Sequence, residues 1–81
     1  MKTFQLTAHI QAVTDYGKSR DGFTHKATIL KDGNEVGSAS VHYINRTWER
    51  YEFQTAIEKA IEKSRLTPEE KKKALEVINR D

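Results

Sequence analysis

With 81 residues, 36% hydrophobic side chains and a formal net charge of +2, the chain has room for one domain, 1–81, whose core needs nearly every apolar side chain available. The absence of cysteine excludes a disulfide framework and a thiolate metal site, and it accords with a reducing, cytoplasmic setting. Residues 1–46 carry six Lys/Arg against four acids, while residues 47–81 carry eight of each, so the positive excess sits in the first half and points mildly towards an anionic partner.

The N-terminal stretch "MKTFQLTAHIQAVT" alternates apolar with polar residues. It contains no continuous apolar block, so neither a signal peptide nor a membrane span is expected there. Phe4, Leu6, Ala8, Ile10 and Ala12 on one face, with Gln5, Thr7, His9 and Gln11 on the other, predict a half-buried strand near 3–13. "TDYGKSRDG" follows and reads as a polar loop. A second strand is predicted near 23–31, with Phe23, His25, Ala27 and Ile29 inward. Asp32-Gly33 is a hairpin signal, because such turns need positive φ. A third strand follows near 35–44, with Gly37, Ala39, Val41 and Tyr43 inward.

Two helices complete the chain. Phe53, Ala56, Ile57, Ala60 and Ile61 form a single apolar stripe at helical spacing and predict a helix near 49–64. Thr67, Pro68 and Glu70 supply an N-cap, a first-turn proline and a capping box for a second helix near 68–79. Its stripe is Ala74, Leu75 and Ile78, widened by Val77. The order β-β-β-α-α predicts an α+β fold: a three-stranded antiparallel sheet with two C-terminal helices, one of them packed on one sheet face. The expected core is Phe4, Leu6, Ile10, Ala27, Ile29, Val41, Tyr43, Phe53, Ile57 and Ile61.

Two surfaces are candidates for function. The first is the join between the third strand and the first helix, where Arg46, Trp48 and Arg50 cluster with Tyr43, Tyr51 and Phe53. One reading is an aromatic corner that plugs the end of a small core, with its arginines solvated or paired to Glu49 or Glu52. The other is a nucleic-acid contact by stacking and phosphate binding. The second candidate is the outward sheet face: Gln5, Thr7, His9, Gln11, Thr24, Lys26, Thr28, Ser38, Ser40 and His42, with Leu30 and Ile44 as apolar members. Strand parity places no acid in that set. Such a face could contact phosphates or base edges, or it could be a soluble surface rich in Thr because Thr suits strands.

Other motifs carry less. "GKS" at Gly17–Ser19 lacks the upstream glycine and following helix of a P-loop. "DGNEVG" lacks the alternating oxygen ligands of a calcium loop. His9 and His42 could share a sheet face, but no third metal ligand is evident. No acid pair, Cys–His pair or Ser-His-Asp spacing suggests an active site. The chain is therefore expected to be non-enzymatic, with no cofactor, no metal and no membrane association.

The segment "YINRTWERYEFQTAIEKAI", with Asn45, Arg46, Thr47, Trp48 and Glu49 ending a strand ahead of an aromatic-bearing helix, resembles short uncharacterised proteins of phages and other mobile elements of Gram-positive bacteria. The resemblance covers about a quarter of the chain. It implies a genomic setting and not a mechanism. The β-β-β-α order is also similar to the small DNA-binding sheets of some mobile-element integrases, an analogy of architecture. Two functional expectations result. One is a nucleic-acid-associated module using His9, Lys26, Thr28, Ser40 and His42, with Arg46, Trp48 and Arg50 at the rim. The other is a protein-interaction module, a small regulator or inhibitor acting through a strand edge or through Leu75 and Ile78 of the last helix, including as a homodimer.

Overall fold

Asp32 and Gly33 both adopt positive φ, 51° and 84°, and so form the two-residue primed turn that matches the twist of its flanking strands. In the computed structural model, which describes residues 2–43 and 49–78, this turn joins β3 (Gly22–Lys31) to β4 (Asn34–Tyr43). β1 (Lys2–Gln5) and β2 (Ile10–Ser19) precede them, and α1 (Glu49–Lys63) and α2 (Pro68–Ile78) follow. The strands form one antiparallel sheet in chain order, β1-β2-β3-β4. The α+β class and the two C-terminal helices are as expected, but the sheet has four strands rather than three.

The extra strand comes from two local features. The segment expected as one strand near 3–13 breaks at residues 6–9, where the Thr7 hydroxyl oxygen accepts from the backbone N–H groups of His9 and Ile10 at 3.3 and 3.2 Å. That side-chain acceptor satisfies the turn's donors and folds β1 back onto β2, pairing Phe4 with Ala12. The stretch expected as a polar loop is the second half of β2. It pairs with β3 as far as Ser19 opposite Gly22.

One face of the sheet is lined by small residues. Ala12, Ala27 and Ala39 are buried on it with Thr14, His25 and Ile29. Ala56, Ile57, Ala60 and Ile61 of α1 supply the opposing layer, and α1 lies over β3 and β4. Small residues on both sides let the helix come close. At Gly37 an added Cβ would stand 2.6 Å from the Ser64 Cα and 3.0 Å from the Ala60 carbonyl oxygen. Val36 is an extra residue in β4, because Ile29 pairs with Gly37 and Leu30 with Glu35. Its carbonyl accepts from the Arg65 N–H at 2.9 Å, so the bulge ties down the chain as it leaves α1.

Among the expected core residues, Leu6, Ile10, Ala27, Ile29, Ile57 and Ile61 are buried, and Val41 packs against them. Phe4 does not join them. It lies on the helix-side face but on the outermost strand, away from α1, and 38% of its surface is exposed. Tyr43 and Phe53 lie outside the residues whose side chains are described.

The capping box forms as expected. The Thr67 hydroxyl accepts from the Glu70 N–H at 3.2 Å, while a Glu70 carboxylate oxygen accepts from the Thr67 N–H at 3.1 Å. The other Glu70 oxygen meets the Lys31 ammonium at 2.8 Å, so one carboxylate caps α2 and fastens it to the end of β3. Its hydrogen bond with Lys31, followed by that from the Thr67 backbone, lowers the Glu70 pKa to about 2. A carboxylate with a depressed folded-state pKa adds stability above its unfolded value of about 4.3 and loses it as pH falls through the folded value. Glu70→Gln should therefore melt below the parent at neutral pH. The gap in melting temperature should close between pH 5 and pH 2, which a pair of thermal-melt series would show. Among the described residues no helix is long and apolar enough to cross a membrane.

Candidate functional site

The face of the sheet away from α1 is built by the residues that alternate with the buried set. Strand register brings Gln5 beside Gln11, Thr24 beside His42, Lys26 between Asp15 and Ser40, and Thr28 beside Ser38. α1 occupies the opposite face, and α2 packs against α1 with Leu75 and Ile78 against the core. Lys26, Ser38, Ser40 and His42 are exposed on this face, which no described helix covers, with Thr28 half-buried among its neighbours. Gln11 donates to the Gln5 side chain at 2.9 Å, and the Thr24 hydroxyl lies 3.1 Å from His42 Nδ1.

The charge on this face differs from the expected pattern. Because β2 extends past Thr14, Asp15 stands directly opposite Lys26, and because the bulge at Val36 shifts the register, Glu35 stands opposite Leu30. The outward face thus has two acids and, among the described strand residues, one Lys. Of the other lysines of the N-terminal half, Lys2, Lys18 and Lys31 register with the helix-side face, and Lys31 is bonded to Glu70. Parity could have exposed this, since Ile10, Ala12, Thr14 and Tyr16 continue the period of two into the stretch expected as a loop.

The sequence-derived residues separate into groups. Lys26, Thr28, Ser40 and His42 share the outward face, as expected. His9 does not, because it belongs to the turn between β1 and β2. Its Nδ1 lies 3.1 Å from an Asp32 carboxylate oxygen, and its carbonyl accepts from the Asp32 N–H at 2.9 Å. Two turns are thereby joined at one end of the sheet, while His42 stands near the other end opposite Thr24, so the two histidines do not converge. His25, expected on the inward face, is fully buried, with its ring 5.1 Å from that of Tyr16, which stacks on Phe23 at 5.7 Å. Arg46 and Trp48, and the side chain of Arg50, lie outside the described residues. Leu75 and Ile78 are half-buried against the core, which leaves Val77, 37% exposed, as the more open apolar side chain of α2.

The sheet has two edges of unlike character. β1 is four residues long and begins with Lys2, both features that discourage a further strand from pairing. β4 is ten residues long, "NEVGSASVHY", with no proline or lysine. Its bulge and the Arg65 bond occupy its first part, and Gly37–Tyr43 runs on beyond them as the outermost strand. In an edge strand, alternate backbone N–H and C=O groups point away from the sheet and can pair with an added strand. No family model, curated protein or solved structure matches the chain.

Proposed function

We propose that the protein is a small non-enzymatic interaction module that binds protein by strand addition to β4. The observation that carries this reading is the contrast between edges: the short edge is blunted by length and charge, and the long one, past its bulge, is not over Gly37–Tyr43. In strand addition the main-chain hydrogen bonds supply the affinity, and the small side chains of Gly37, Ser38, Ala39 and Ser40 leave the edge sterically open to them. The nucleic-acid reading keeps its open face but loses its basis in charge, since Asp15 and Glu35 outnumber Lys26 there. The phage or mobile-element setting that the Asn45–Glu49 resemblance implies suits a small regulator or inhibitor of this kind.

Panning a library of random linear peptides against the intact protein tests the proposal. Extended, β-branched peptides should be enriched, and they should lose affinity for a Ser38→Lys/Ser40→Lys variant, whose charges oppose pairing at this edge. Labelled single- and double-stranded DNA should not bind at moderate salt. Failure to enrich any peptide that depends on Ser38 and Ser40, from a protein that also does not self-associate through this edge, would sink the reading. DNA binding that weakens steeply with salt would return the sheet face to nucleic acid.

A further inference from the structure

We infer that the strand β4 receives is the β4 of a second copy, running antiparallel about a two-fold axis at Ser40. This rests on the strand-addition reading and names its partner. The stretch Gly37–Tyr43, outermost among the described strands, has Ser40 at its centre, and a two-fold axis there sets Ser38 against the partner's His42, Ser40 against the partner's Ser40, and Ala39 against the partner's Val41. On the outward face these pairings bring no like charges together. Hydroxyl against imidazole is also what β3 and β4 already use, where Thr24 lies 3.1 Å from His42. On the helix side, Ala39 and Val41 would extend the row of apolar side chains beneath α1 into the second copy.

The position of α1 gives a second and independent argument. The helix packs on β3 and β4; an axis above the gap between these two strands and along them would lie roughly one strand spacing inside the midline of a joined sheet. Strands pair about 4.8 Å apart, so the two α1 helices would run side by side at about 10 Å. That is the upper end of ordinary helix–helix packing distances. Strand pairing and helix packing are therefore met by one arrangement, an eight-stranded sheet with its helices on a single face.

Sedimentation equilibrium over a concentration series, on the full chain, tests the register as well as the dimer. The parent should dimerise reversibly. Ser40→Lys and Ser40→Glu, each placing like charges at the axis, should each raise the dimer dissociation constant roughly fivefold. Mixed in equal amounts they should recover association, because Lys then faces Glu. Thr3→Lys, a lysine at the other edge, should leave the dimer unchanged, and far-ultraviolet circular dichroism checks that each variant is folded. A parent that stays monomeric throughout, or a mixture that associates no better than its components, would overturn the inference. If the parent is monomeric but edge-dependent peptides bind, only the choice of partner fails. If neither occurs, strand addition itself fails.

Discussion

Gly37→Ala should lower the stability of the protein by about 3 kcal/mol, which for a domain of this size corresponds to a fall in melting temperature of roughly 12–24 °C. The methyl group would stand 2.6 Å from the Ser64 Cα, 2.7 Å from its Cβ and 3.0 Å from the Ala60 carbonyl oxygen. Two of these neighbours are backbone, in the last turn of α1 and just past its end, so no side-chain rotation relieves the clash. α1 must move off the sheet, loosening Ala56, Ala60 and Ile61 together. Gly17→Ala is the matched control, since its nearest neighbour would be the Thr24 carbonyl oxygen at 4.0 Å. That change should leave the melt within about 0.5 kcal/mol of the parent. Equal melts for the two alanine variants would mean that the crossing at Gly37 is looser than described.

Ile57→Ala should cost about 2–5 kcal/mol, the transfer free energy of the lost groups plus the cavity they leave. Ile57 is 4% exposed and belongs to the layer between α1 and the sheet. Its small neighbours Ala27, Ala39 and Ala56 cannot expand to fill the gap. A chain of 81 residues has a total stability of only about 4–12 kcal/mol, so this one change removes a large share. Chemical denaturation by urea is the suitable measurement, read as a lowered midpoint with an unchanged slope. Val77→Ala, on the exposed side of α2, should shift the midpoint little, and a similar shift for both would contradict the buried assignment of Ile57.

The parts of this fold legible in the sequence are those where local chemistry and burial agree. Asp32-Gly33 needed positive φ and has it. Thr67 and Glu70 cap a helix that starts at Pro68. The α1 stripe, read from spacing alone, is the stripe that is buried wherever its side chains are described. The parts that were hidden are those where the two disagree. Asp15, Gly17, Lys18 and Ser19 look like a loop by composition, yet they pair with β3 because Thr14 and Tyr16 keep the inward alternation going. Thr7 and His9 look like strand residues by parity, yet the Thr7 hydroxyl offers the backbone an alternative to pairing. The candidate face inherited both errors, losing His9 and gaining Asp15. The open edge of β4 depends on strand order, which parity and composition do not encode.

The agreement between strand order and chain order bears on how the molecule assembles. Every pairing in the sheet joins a strand to its immediate successor, and two of the three connections are two residues long. Closing such short loops costs little chain entropy, so each hairpin can form without waiting for a distant segment. Pairing between successive strands thus keeps the loops that must close in the sheet short. α1 follows β4 directly and docks on β4 and β3, so the last large search in the pathway is also a search among neighbours.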